Sequence, residues 1–273
     1  MTMDTLYHYT SSSNFIKIIK SKSIWLSDLS LSNDSEEGKI VLKIVCSLLD
    51  EANLETNQRE FIKDAVISIP TTYSCYGFCL SKKKDQLSQW RGYADDGSGF
   101  SIGFSQKFLK NITNICDENH PNNFHLLKVI YKPKKHEMAI RQILDKCIEK
   151  VPTLNSSGCD NRSKKIKKLL TVEIPFLSKM YLLKGKAFYE EAEWRLISIA
   201  KGFRHANYKT NFRAMNNGIC PHIEVELVDY HDSIITNVYI GPKNINPTEI
   251  VENFLDQNGY KGVKVRVSKA SYR

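Results

Sequence analysis

The residues of this chain best suited to chemistry are two carboxylates, Glu191 and Glu193, in the run Glu190-Glu191-Ala192-Glu193-Trp194-Arg195. On a strand, residues two apart share a face, so the spacing predicts Glu191, Glu193 and Arg195 pointing one way and Trp194 into the core behind them. Like charges side by side are costly unless a cation or a substrate separates them. Arg195 can be that cation, and the group is then structural. If substrate fills the role, the chemistry is glycosidic: one carboxylate stabilises a cationic sugar and the other orients or deprotonates the nucleophile. His8, in the apolar run Leu6-Tyr7-His8-Tyr9-Thr10, is the second candidate. A neutral imidazole can donate to a ribose hydroxyl while its other nitrogen is anchored, or it can simply pack. Tyr7 and Tyr9 take the opposite face.

The third place is the stretch from Ser88 to Phe104, with Ser88-Gln89-Trp90-Arg91-Gly92-Tyr93 followed by Gly97, Gly99 and Gly103. Its glycines let backbone bend or approach something flat. Trp90, Tyr93, Phe100 and Phe104 can stack on a ring or fill a core. Other chemistries find no support. There is no G-x-x-x-x-G-K-[ST] and no G-x-G-x-x-G after a strand. Ser98 lacks the G-x-S-x-G elbow, and no Ser-His-Asp set stands out. Cys75 and Cys79 have no second pair and no neighbouring histidines, so no metal is expected. The seven cysteines, an odd number, read as free thiols of a reducing cytoplasm. No run approaches the ~20 apolar residues of a membrane helix, and the first ten residues lack the basic start of a signal peptide.

The net charge is +9, and between Lys128 and Lys168 twelve basic residues face four acidic ones. Such a field favours a polyanionic partner, with Lys164, Lys165, Lys167 and Lys168 as nucleic-acid contacts, or else it is a solvated face.

These residues need elements to position them. Apolar periodicity predicts strands over residues 6–10, 24–27, 72–80, 100–104, 126–131, 188–199, 223–227, 234–240 and 262–267. Helices are expected near 15–19, 40–49, 57–67, 86–93 and 140–151, from Arg162, and from Pro247 to Gly259. The helix over 57–67 should stop before Pro70, and Pro175 should kink or break the one from Arg162. Asn246-Pro247-Thr248-Glu249 reads as an N-cap with a capping box. Strands and helices do not alternate strictly, so the fold class is α+β. One domain over residues 1–273 is expected, with a basic helical insertion at about 134–184.

Four motifs together resemble a widespread bacterial family of uncharacterised proteins. They are the Leu6-Tyr7-His8-Tyr9-Thr10 start, Asn33-Asp34-x-x-Glu37, the Ser88–Tyr93 block with its glycine turn, and Glu191-x-Glu193-Trp194-Arg195. That family is in turn similar to a distant branch of the ADP-ribosyltransferase superfamily. The resemblance implies split antiparallel sheets with helices, and NAD as a substrate. It implies that His8, with Thr10 nearby, holds the nicotinamide-side ribose. Glu193 becomes the catalytic glutamate, and Glu191 directs the acceptor. The superfamily's middle NAD contact stays open among Tyr73, Ser74, Tyr76 and Tyr93, with Arg91 as a further cofactor contact.

The expectation is a cytoplasmic NAD-dependent ADP-ribosyltransferase acting on nucleic acid or another anionic macromolecule. A toxin or phage-defence role with a neutralising antitoxin protein follows from that. One alternative is a non-catalytic nucleic-acid-binding module in which Trp90, Arg91 and Tyr93 stack on bases. Another is an NAD glycohydrolase that passes the ribosyl cation to water.

Overall fold

The computed structural model describes residues 4–32, 38–113, 124–150, 172–201, 210–215, 218–227 and 234–272. Its strands are β1 (Thr5–Thr10), β2 (Ser23–Asp28), β3 (Tyr73–Ser81), β4 (Phe100–Ser105), β5 (His125–Lys128), β6 (Glu193–Lys201), β7 (Asn211–Met215), β8 (Gly218–Glu226), β9 (Ile235–Ile240) and β10 (Lys264–Val267). The helices are α1 (Ser12–Ser21), α2 (Lys39–Glu51), α3 (Thr56–Thr72), α4 (Leu87–Tyr93), α5 (Gln106–Ile112), α6 (Pro133–Lys150), α7 (Ile174–Met180) and α8 (Thr248–Gln257). The strands make one open mixed sheet in the order β10-β9-β4-β1-β3-β2-β8-β7, with β6 on β3 and β5 on β6. The ladders are antiparallel except β9 with β10. That pair is parallel because α8 carries the chain back before β10, and a helical crossover restores strand direction.

Alternation along the strands feeds two cores. Phe78 and Leu80 of β3 face one core, closed by Phe15 of α1, Leu109 of α5 and Leu255 of α8. Tyr73 and Cys75 face the other, closed by Val45 of α2, Ile62 of α3, Ile140 of α6 and Phe176 of α7. The helices expected as an insertion therefore share a core with α2 and α3. No described helix is long and apolar enough to cross a membrane.

One feature of the sheet positions the site. Strand β6 takes the whole of one edge of β3, from Tyr73↔Lys201 to Ser81↔Glu193. Strands β1 and β2 then share the other edge. β1 meets it at Ser81, and β2 meets it at Gly77 and Tyr76. Residues 78–80 lie between the two pairings, where β1 and β2 part and the sheet forks.

Several boundaries differ from expectation. Helix α3 runs through Pro70 instead of stopping before it. Proline removes a helical hydrogen bond and crowds the preceding turn. Burial of Ile62, Ala65, Val66 and Ile69 in the second core outweighs that, and Tyr73 N closes the last turn on Ile69 O. The strand expected over 188–199 begins only at Glu193, because Lys186–Glu191 forms a 3-10 segment. Strand β5 is shorter than its expected span. Helix α8 starts with Pro247 as its N-cap, which offers no side-chain acceptor, so the capping box does not form. Pro175 lies in the first turn of α7, a position that tolerates its missing N–H. Helix α5 and strand β7 have no counterpart in the expected elements. The helix from Arg162, with Lys164, Lys165, Lys167 and Lys168, and the Asn33–Glu37 motif lie outside the described residues.

Candidate functional site

The fork opens a cavity of about 280 Å³ lined by His8 of β1, Trp25 and Ser27 of β2, Gly77 to Leu80 of β3, and Tyr93 of α4. Lys184, Phe188, Glu191, Glu193, Arg195 and Arg213 add to the wall, with Asp28 and Gln89 beside them. A smaller lobe of about 170 Å³ shares Trp25, Tyr93 and Arg213 and extends past Thr10 to Asn14 and Lys17 of α1.

His8 is held where β1 leaves β3. Its Nδ1 lies 2.9 Å from the Cys79 carbonyl oxygen. Its ring stacks on Phe78, with centroids 4.1 Å apart. Enclosure by protein disfavours the imidazolium and lowers the pKa to about 4, against the raising effect of the Cys79 carbonyl. The neutral ring must carry its proton on Nδ1, because a carbonyl can only accept. Nε2 is then an acceptor. The expectation that His8 donates to a hydroxyl is reversed: a hydroxyl donates to His8.

Glu191 and Glu193 do not share a strand face. Glu191 ends the 3-10 segment, Ala192 turns the chain at a left-handed φ of 45°, and Glu193 opens β6. The two meet through a lysine that the motifs do not include. Lys184 Nζ lies 2.7 Å from Glu191 Oε2 and 3.1 Å from Glu193 Oε2. Arg195 grips Glu193 with two bonds, Nε to Oε1 at 2.6 Å and Nη2 to Oε2 at 3.1 Å, and donates Nη1 to the Tyr181 carbonyl at 2.8 Å. The Tyr93 hydroxyl donates to Glu191 Oε1 at 3.1 Å, and Glu193 N donates to the Tyr131 hydroxyl at 2.8 Å. All four charged residues are buried.

Glu193 and Lys184 keep their charges against burial because opposite charges face them. Burial pushes Glu193 up, but the Arg195 and Lys184 charges outweigh it and hold the carboxyl below its usual range. Burial pushes Lys184 down, but Glu193 and Glu191 outweigh it and raise its pKa. Burial, then the Glu191 charge, raises the Tyr93 hydroxyl, which stays a donor at neutral pH.

Of the residues proposed from sequence, His8, Tyr93, Glu191 and Glu193 line the larger cavity, and Thr10 lines the smaller lobe. Tyr73 lies in the second core, its hydroxyl 2.7 Å from Glu173 Oε2. Tyr76 is buried in the first core, and Ser74 is also buried. Neither lines the cleft, which leaves Tyr93 among the four candidates; Tyr7 and Tyr9, expected on the face opposite His8, also line it. Arg91 is exposed on α4 and lies over the Tyr272 ring instead. Trp90 is fully buried, with Nε1 bonded to Asp85. Residues missed from sequence are Lys184, Trp25, Phe188 and Arg213. None of them carries a spacing signal, and Lys184 is one among 39 lysines and arginines.

Residues 89–196 match the model of a family described as a protein of unknown function, DUF2971. The match starts inside the Ser88–Tyr93 block and ends one residue past Arg195, so it covers most of α4 and the acidic network but not β1. It carries no link to ADP-ribosyltransferases. No curated protein and no solved structure matches the chain.

Proposed function

We propose that the cleft binds NAD, breaks its nicotinamide–ribose bond and passes the ADP-ribosyl group to nucleic acid or another anionic macromolecule. The observation that carries this reading is convergence. His8, Tyr93, and the Glu191–Glu193 pair come from three distant segments and surround one cavity at the fork. His8 Nε2 accepts a bond from a ribose hydroxyl. Trp25, Phe78 and Tyr93 offer flat walls for rings, and Arg213 and Lys17 offer positive charge for phosphates. The C1–N bond breaks with its electron pair leaving on nicotinamide, and the ribosyl cation forms beside the carboxylates. Arg195 fixes Glu193 facing that cation. Glu191 Oε1 meets a hydroxyl rather than a cation, so Glu191 takes the proton of the attacking acceptor.

Such an enzyme in a cytoplasm suits a toxin or phage-defence role with a neutralising protein partner. Hydrolysis of NAD, with water as acceptor, uses the same residues. The binding-module alternative loses Trp90, which is fully buried and cannot stack on a base.

Nicotinamide released from NAD by the purified protein is the measurement, made with and without RNA or DNA. Release that rises with nucleic acid and falls on the order of 10²–10³-fold in folded Glu193→Gln supports transfer. Release indifferent to acceptor supports hydrolysis, and no release at all overturns the reading.

A further inference from the structure

Lys184 sits in the link between α7 and the 3-10 segment and is 5 % exposed. An ammonium group loses a strong hydration shell on burial and is rarely so enclosed without full pairing. Its surroundings supply that pairing. Glu191 and Phe188 face it from the 3-10 segment, and Glu193 and Arg195 from β6. Behind the carboxylates stand Tyr93 of α4, Cys79 of β3 and Tyr131 ahead of α6. His8, across the cleft, is neutral. The cluster therefore holds two carboxylates and two cations. Arg195 is already committed to both oxygens of Glu193 and to the Tyr181 carbonyl. Glu191 has Lys184 as its counter-charge.

We infer that Lys184 is a positioning residue that keeps Glu191 and Glu193 ionised together and side by side at the cleft. Without it, two buried carboxylates share one guanidinium, and such a pair takes up a proton that belongs to both. A protonated carboxyl can neither accept the acceptor's proton nor face a ribosyl cation with charge. The catalytic meaning of this inference rests on the NAD reading. The charge balance does not.

Four variants test it: Lys184→Met, Lys184→Arg, Glu191→Gln and the double variant Lys184→Met with Glu191→Gln. Carbon NMR of labelled glutamate carboxyls in the free protein, with Glu191→Gln to assign the signal, follows protonation without any NAD. At neutral pH, Lys184→Met holds one more proton on the pair than the wild type, and Lys184→Arg restores the wild-type count. If NAD is the substrate, nicotinamide release by Lys184→Met then falls at neutral pH and recovers as pH is raised, whereas a merely structural loss scales all pH values alike. No extra proton in folded Lys184→Met overturns the inference. Should Lys184→Met fail to fold, the double variant, which removes one charge of each sign, must fold and melt near the wild type. A double variant no better than the single one overturns it too. An extra proton with no nicotinamide release from wild type sinks the NAD reading alone.

Discussion

At the scale of single residues, His8 ties the cleft to pH. Its pKa of about 4 in the fold lies below its ordinary value of 6.5. Between those values the unfolded chain binds a proton that the folded chain refuses, so stability rises with pH across that window. The slope from this one group is at most about 1.4 kcal/mol per pH unit, and solvent entering the cleft reduces it. Below about pH 4 both states are charged, and the contribution vanishes. Urea unfolding of wild type and His8→Gln at several pH values between those limits should show the slope shrinking in the variant. An unchanged slope means the imidazole is not held neutral by the fold. Glu193 has a different character. Glu193→Gln strips the buried Arg195 of both its carboxylate bonds, since Glu191 pairs with Lys184 instead, and breaking such a network from one side costs about 3–5 kcal/mol. Calorimetry should show a clearly lower Tm for Glu193→Gln than for Glu191→Gln, which leaves the two-bond grip of Arg195 on Glu193 in place.

At the scale of elements, helix α4 matters most, because it carries Tyr93 to Glu191. It is clamped from two sides. The Tyr9 hydroxyl donates to the Lys83 carbonyl and accepts from Gln86 N, both just ahead of the helix. On the other side the last residues of the chain close over it. Asp85 accepts from Trp90 Nε1 at 2.7 Å, from Ser268 Oγ at 2.6 Å and from Lys269 N at 2.7 Å. The Tyr272 hydroxyl donates to Asp96 at 2.6 Å, in a turn where Asp95 and Asp96 both have left-handed φ, 45° and 53°. Two non-glycine residues in that region cost roughly 1–2 kcal/mol each, so the turn depends on its outside bonds. Deleting residues 268–273 should speed amide hydrogen exchange in α4 and this turn while leaving α5 unchanged. Equal protection in both proteins would show the tail to be an ornament.

How far sequence reaches also differs by element. β1, β4 and α1 follow from local pattern: alternating aromatic and aliphatic residues, and Ser11 capping Asn14 N. Helix α3 breaks the proline rule because burial, a long-range term, decides its end. The acidic pair was legible as residue types but not as geometry. Spacing of two implies one face only on a strand, and a 3-10 segment with a left-handed residue intervenes. Lys184 and Arg213 were illegible, since nothing local distinguishes a lysine that ends buried between two carboxylates from one that ends in water.

At the scale of the whole molecule, the charge predicts a salt-dependent partner. The described part of the basic stretch places Lys128, Lys132, Lys134 and Lys135 on the surface. If about four to six cations neutralise phosphates of duplex DNA, log K falls with log salt at a slope of about −4 to −5. Replacing Lys164, Lys165, Lys167 and Lys168 by Gln should flatten that slope in a salt titration of binding. An identical slope would make these lysines a solvated face.

The fork in the sheet also fixes when the site can exist. Its walls come from residues as far apart as His8 and Arg213, and β3 must receive β6 before the acidic network meets His8. These are pairings of high sequence separation, which form late because loop closure must precede them. A chain still being synthesised, with β1 to β4 made and β6 not yet released, holds His8 and Tyr93 but no carboxylate to work with. On the NAD reading, the site is complete only once β6 has paired with β3, and a chain that lacks β6 releases no nicotinamide.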